Sequence, residues 1–315
     1  MARVAVVGAG FIGRAWAISF ARAGHDVALW DSQQDAAPKA LDYIGALLPD
    51  LAANGLLNGE SAEAVGARMT AAATLAEALA GAAYVQENTP EDLETKRAVF
   101  ARLDAAAPKD AILASSTSSL LPSSFSAELA GRHRCIVVHP INPPYLIPAA
   151  EVVPAPWTDA DVVARTVDFL KAAGHAPMVM TREIDGFIMN RLQGALLEEA
   201  FRLVAHGFAS AEDIDIGIRE GLALRWSFMG PFETIDLNAP GGVRDYVERY
   251  WPVYSRIATS ALGHPDWDGS VLEKIEAARR ASLPAEDLAA RQAWRDRRLM
   301  ALAVHKRDAA EKIGN

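Results

Sequence analysis

Residues 3–14 constrain this chain more than any other stretch. They read RVAVVGAGFIGR: a β-branched apolar run, then glycines spaced G-x-G-x-x-G, then an alanine-rich helical pattern over 13–24. Gly8 permits a tight turn, Gly10 lets the backbone approach a pyrophosphate, and Gly13 lets helix and strand pack closely. The first amides of a helix have no partner within it, so they face the phosphates. Alone, such a pattern is only a glycine turn. Here it follows a strand and opens a helix, and the next apolar run, DVALWD (26–31), ends on Asp31. An acid at that position accepts ribose hydroxyls and repels a 2′-phosphate. No arginine follows in DSQQD (31–35). The expected cofactor is therefore NAD, held by Gly8, Gly10, Phe11, Ile12, Gly13 and Asp31.

The same alternation continues through the first half. Further strands are expected at 68–74, 82–87, 111–115, 135–139, 150–155 and 176–181, with Gly24 as a left-handed cap of the first helix. Leu41, Ile44, Leu48 and Leu51 recur at helical spacing. They mark a helical insertion, broken near Asn54-Gly55 and Asn58-Gly59. After residue 184 only helical patterns appear: one at 185–207, a second capped by Ser210, then 242–261 and 284–311. The expected architecture is α/β, a Rossmann-type mostly parallel sheet with a helical insertion (1–183), followed by an all-α substrate and dimerisation domain (184–315). No Ser/Gly-rich linker separates the two.

Composition excludes several classes. Forty acidic against 31 basic side chains, without a basic face, argue against nucleic-acid binding. The single cysteine, Cys135, excludes an intrachain disulfide framework, and beside IVV it reads as a buried apolar residue. Seven histidines lack metal-ligand spacing, so no metal is expected. No segment reaches the ~18 apolar residues of a membrane span. The N-terminus is too short and glycine-broken for a signal peptide. A cytoplasmic location with no membrane partner is expected.

The strand at 135–139 ends on a histidine. In open α/β sheets ligands bind beyond the carboxyl ends of strands, so His139 stands where a reactive group belongs. Glu151 lies in an apolar strand, AAEVVP, where an unpaired charge is costly. The turn between them brings the two within reach, and a carboxylate beside an imidazole fixes its tautomer as a general base requires. The plainer alternative is a hydrogen-bonded strand-end histidine.

GAGFIG (8–13), STSSL (116–120), HPINP (139–143), DGFIMNR (185–191) and MGPFE (229–233) occur in this order. The chain resembles the 3-hydroxyacyl-CoA dehydrogenase family over nearly its whole length. HPINPPY (139–145) and residues 221–242 are similar to the L-gulonate 3-dehydrogenase, or lambda-crystallin, branch. The resemblance implies NAD-dependent oxidation of a secondary alcohol. It makes His139 the base, Glu151 its orienting partner, Ser118 a hydrogen-bonding group for the reacting oxygen and Asn190 a holder of the substrate. Glu91 and Lys96 match positions near the nicotinamide ribose. Read without the family, Ser118 is a loop serine, Asn190 a cap and Lys96 a solvated lysine.

An acyl-CoA enzyme must hold a 3′-phosphate, and the resemblance gives the helical insertion a part in this. Between residues 33 and 80 the basic residues are Lys39 and Arg68, a poor phosphate site. The gulonate branch instead implies that Arg225, in LRWSF, meets a substrate carboxylate, which an arginine clamps with two parallel hydrogen bonds. Otherwise Arg225 is a surface arginine or a partner of Glu233. A small 3-hydroxy acid such as L-gulonate, L-carnitine or 3-hydroxybutyrate is the expected substrate, with a 3-hydroxyacyl-CoA as the alternative. A crystallin-like structural protein that binds NAD without turnover is a reading from another class. The intact Ser118, His139, Glu151 and Asn190 argue against it. The apolar residues Phe187, Ile188, Leu192, Leu196 and Phe201 on the helix at 185–207 point to a homodimer.

Overall fold

The computed structural model describes residues 1–259, 273, 277, 280–281 and 284–314. The chain forms two compact units, Met1–Asn190 with Asp296–Val304, and Arg191–Arg295 with His305–Asn315.

The first unit is built on an eight-stranded sheet in the order β3-β2-β1-β4-β5-β6-β7-β8. The strands are β1 (Arg3–Val7), β2 (Asp26–Trp30), β3 (Met69–Ala71), β4 (Tyr84–Glu87), β5 (Ile112–Ser115), β6 (Cys135–Pro140), β7 (Ala149–Pro154) and β8 (Ala176–Val179). Neighbours pair in parallel except β6 and β7, which are antiparallel. The carboxyl end of β6 therefore meets the start of β7.

Helices cover both faces of the sheet. Successive side chains of a strand point to opposite faces, and in β1 Val4 and Val6 join one core while Ala5 and Val7 join the other. Such continuous apolar runs are what a sheet covered on both sides requires. The first core takes helix α1 (Phe11–Arg22), α2 (Ala36–Ala53), α3 (Ala62–Gly66) and, farther along, Ala160–Ala172. The second takes α4 (Leu75–Leu79), α5 (Leu93–Ala106) and α6 (Pro122–Ser126). Trp16 and Phe20 of α1 are fully buried and stack at 5.1 Å. Truncating an aromatic so packed costs ~3–5 kcal/mol. Helix α1 stops where Gly24 takes φ +88°, as its sequence foretells. With Ala160–Ala172 as α7, the layering is helix, sheet, helix.

The helical insertion is α2 and α3, with the buried Ile44, Leu48 and Leu51 against the sheet core. The strand expected at 68–74 contracts to β3. The helix expected from residue 185 begins later, as α8 (Met189–Ala205), because Gly186 and Phe187 both take positive φ and break helical geometry.

The described residues of the second unit carry helices and no strand: the rest of α8 after Asn190, then α9 (Ala211–Ile216), a wider helical turn at Gly217–Leu222, α10 (Ala223–Trp226), α11 (Pro231–Leu237) and α12 (Gly242–Thr259). Ser210 caps α9 reciprocally: its hydroxyl accepts from the Asp213 amide, and the Asp213 carboxylate accepts from the Ser210 amide. The last helix, α13 (Leu288–Ile313), sends Met300 into the first unit's core. Residues 260 and 261, expected to end the helix at 242–261, lie outside the described residues.

Candidate active site

The strand-to-helix turn after β1 needs its glycines for two different reasons. Gly8 has φ +93°, and a Cβ there would lie 2.7 Å from the Asn88 carbonyl oxygen. A Cβ on Gly13 would lie 1.9 Å from the Gly8 carbonyl oxygen. Space around Gly10 is open. Asp31 stands beside this turn, its two oxygens accepting from the amides of Ala9 at 2.8 Å and Gln33 at 2.9 Å. Gly8, Gly10, Trp30, Asp31, Asn88 and Arg102 are among the walls of a cleft of about 480 Å³. The donor turn, the anchored carboxylate and the cleft beside them fit a dinucleotide.

Phe11 and Ile12 open α1, and neither lines the cleft. Ile12 packs against the sheet core and Phe11 is exposed, so their first-turn amides are what they offer a phosphate. The reading from DSQQD overlooked Arg102. It reaches the cleft from α5, its guanidinium 5.4 Å from the centroid of the Trp30 ring. No local motif announces it, because the contact joins two elements far apart in sequence.

Lys96 is buried, not solvated as a reading without the family has it. It is 1% exposed and absent from the cleft wall. Its ammonium donates to both oxygens of the buried Glu87 at 2.9 and 3.1 Å and to the Thr89 carbonyl at 2.9 Å. A buried charge demands such a partner, and Glu87, at the end of β4, supplies it. Lys96 thus lies beneath the strip Asn88–Pro90 that lines the cleft, where Thr95 and Val99 stand in its stead.

Glu91 organises the loop after β5. One of its oxygens accepts from the Thr117 hydroxyl at 2.5 Å, the amides of Ser118 at 3.0 Å and Ser119 at 2.9 Å, and the Ser119 hydroxyl at 3.0 Å. Burial pushes its carboxyl up, but these bonds outweigh that and hold it below the usual carboxylate range. Asn190 holds the same loop from the other side by donating to the Ser118 carbonyl at 2.7 Å. The Ser118 backbone is thereby tied at both ends, and its exposed side chain has no hydrogen-bond partner among the described residues. Thr117 and Ser119 were not singled out from the sequence. Ser116 was not either, though its hydroxyl joins Trp16, Gln86 and Asn88 at 2.7–3.0 Å.

His139 and Glu151 meet as expected. His139 Nδ1 lies 2.6 Å from Glu151 Oε2, and the other carboxylate oxygen accepts from the amides of Ile188 at 2.6 Å and Met189 at 2.9 Å. Burial raises the Glu151 carboxyl, while the bonds to His139, Met189 and Ile188 more than offset this and keep it ionised. A carboxylate only accepts, so Nδ1 carries the proton and Nε2 is the basic nitrogen. His139 is buried, with 6% of its surface exposed.

Cys135 is fully buried, and burial pushes its thiol up to about 12. Arg225 lies in the second unit, on α10, with its Nε buried and without a partner. Among the described residues no cluster of His, Cys, Asp and Glu could hold a metal ion, and no helix is long and apolar enough to cross a membrane.

Comparison with known proteins agrees with this geometry. Residues 3–184 match the 3-hydroxyacyl-CoA dehydrogenase NAD binding domain and residues 186–275 match the C-terminal domain of the same family. The lambda-crystallin homolog of Bos taurus is 44% identical over 306 residues, covering 96% of this chain and 95% of its own. The L-carnitine dehydrogenase of Streptomyces coelicolor is 41% identical over 281 residues, 88% of this chain and 87% of its own. Among solved structures, an NAD+-dependent dismutase, 5-formyl-3-hydroxy-2-methylpyridine 4-carboxylic acid 5-dehydrogenase, superposes with a TM-score of 0.82 at 28% identity, covering 96% of this chain and 97% of its own. The 3-hydroxybutyryl-CoA dehydrogenase of Escherichia coli gives 0.69 at 28% identity, over 89% of this chain and 58% of that one. A glycine turn that fits a dinucleotide, a strand whose carboxyl end carries a paired histidine and a match along both domains have one common source: this chain belongs to the 3-hydroxyacyl-CoA dehydrogenase family of NAD-dependent oxidoreductases.

Proposed function

We propose that the protein oxidises the 3-hydroxyl of a small free hydroxy acid, L-gulonate-like, to the 3-oxo acid. The buried His139–Glu151 pair at the carboxyl end of β6 carries the reading. NAD, when bound, supplies the hydride acceptor. His139 Nε2 removes the hydroxyl proton as the carbon–hydrogen bond gives up its hydride. Glu151 keeps the ring in the right tautomer and balances the imidazolium that forms. Ser118 presents its hydroxyl to the reacting oxygen, and Asn190 holds the Ser118 loop in place. Arg225, half-buried on α10, takes the substrate carboxylate.

A free acid is favoured over a thioester by the insertion. Lys39 is paired with Asp35, and Arg68 forms a two-bond pair with Glu60 at 2.9 and 2.5 Å. Both of its cations are therefore already engaged by carboxylates. Relatives named L-carnitine dehydrogenase support the same substrate class, since carnitine is itself a 3-hydroxy acid.

The homodimer is also part of this proposal. Leu192 and Leu196 of α8 are 61% and 40% exposed, an apolar cost that a second copy would remove. Phe187 leaves the expected dimer face, because it is fully buried in the first unit. NADH production measured across free 3-hydroxy acids, their esters and 3-hydroxyacyl-CoA thioesters tests the assignment. Turnover confined to the thioesters would overturn it.

A further inference from the structure

Phe187 has φ +48° and is fully buried. An aromatic side chain is rarely found in left-handed backbone, and it persists there only when its surroundings hold it. The glycine before it also has positive φ, +75°. Two such residues in succession end the approach to α8 and turn the chain sharply. Immediately after the turn the amides of Ile188 and Met189 both donate to Glu151 Oε1.

The ring sits in the second sheet core, and its centroid is 5.8 Å from that of the His139 imidazole. Phe187 thus contacts one member of the pair with its side chain and directs two donors at the other with its backbone. The pair's surroundings make that direction matter. His139 faces Glu151 from β6, and Met178 is its register neighbour on β8. Only neutral amides face it from the turn. These amides are the donors that keep its second oxygen satisfied, and an unsatisfied buried carboxylate oxygen is costly.

We propose that Phe187 is a positioning residue: its buried apolar side chain holds the left-handed turn that aims the Ile188 and Met189 amides at Glu151, and so fixes the bond that His139 donates to Glu151. The kinetic part of this inference rests on His139 being the base; the geometric part does not.

Phe187→Leu and Phe187→Val test it as a pair. Both keep an apolar side chain in the pocket, but valine is shorter and its β-branch resists positive φ far more than leucine does. The first readout is proton NMR of the His139 Nδ1–H in the holoenzyme, assigned by its disappearance in His139→Gln. A bond to a carboxylate at 2.6 Å places that proton far downfield. The leucine variant should keep the resonance, and the valine variant should shift it upfield or broaden it away. The second readout is kinetic. Phe187→Val should lose roughly tenfold or more in kcat, a part of the ~10²–10⁴-fold that general base catalysis supplies. Its NAD dissociation constant should stay within about twofold, because the cleft is built from other residues. Phe187→Leu should stay within about threefold of wild type in both. A valine variant that matches leucine in the NMR spectrum overturns the proposal. If His139→Gln turns over at the wild-type rate the base assignment falls, while the NMR comparison still decides the role of Phe187.

Discussion

His139 and Glu151 are direct register neighbours on antiparallel strands, twelve residues apart in the chain and joined side chain to side chain at 2.6 Å. Because β7 doubles back on β6, the carboxylate reaches the imidazole from within the sheet. Its second oxygen is then closed by two amides from the approach to α8. Removing the imidazole should therefore leave a well-formed carboxylate with no proton acceptor for the alcohol. His139→Ala is expected to lose ~10²–10⁴-fold in kcat. A variant that keeps its rate at neutral pH contradicts this.

The pH dependence follows from the same pair. Glu151 is held below its ordinary value, so its stabilising contribution is present above the unfolded carboxylate value and is lost as pH falls through the folded one. Oxidation needs a neutral imidazole and should rise with pH toward a plateau. In Glu151→Gln the imidazolium lacks its counter-charge, so the pH of half-maximal oxidation should fall while the plateau drops. An unchanged midpoint in a pH–rate series would show that Glu151 does not act on His139.

Asp31 and Arg102 line the same cleft with opposite charges. Wild-type kcat/KM should favour NAD over NADP by about tenfold or more, a discrimination worth ~1.4 kcal/mol. Asp31→Asn should narrow the gap. Asp31→Asn with Arg102→Ala should reopen it, because Arg102 is then no longer there to meet a 2′-phosphate. Equal use of the two cofactors by wild type would remove the role given to Asp31.

The parts of the fold legible in sequence are those set by local rules. Gly8 and Gly13 announce backbone contacts that admit no side chain, Gly24 ends a helix, and Ser210 caps one. The His139–Glu151 pair was also legible, because an acid inside an apolar strand needs a nearby partner. Contacts between distant elements were not. Nothing near Lys96 says that its partner is the last residue of β4, and nothing near Asp31 points to Arg102 on α5. Phe187 misled for a different reason. Its apolar spacing continues that of α8, while its left-handed backbone is set by a buried pocket that belongs to the sheet.

Glu87 and Lys96 form a buried ion pair, so breaking one side should be worse than removing both. Lys96→Met leaves Glu87 charged and unpaired and should cost ~3–5 kcal/mol of stability. Adding Glu87→Gln should recover much of that loss. Urea unfolding of wild type and the two variants measures it, and a single mutant as stable as the double would contradict the pairing.

The proposed contact of Arg225 with a substrate carboxylate would decide between a free acid and a thioester. A hydrogen bond to a charged group is worth roughly 1.5–3 kcal/mol, so Arg225→Leu should lower kcat/KM on a free 3-hydroxy acid by about 10- to 150-fold. NAD affinity should not change, since the walls of the dinucleotide cleft come from other residues. Arg225→Lys should recover only part of the loss, because a point charge cannot reproduce a two-bond fork. The decisive comparison is between the acid and its uncharged ester. Loss on the acid with near-indifference on the ester is the signature of a carboxylate contact. Equal loss on both would mean that the guanidinium shapes α10 and its surroundings rather than the substrate. The thioester would then regain its standing.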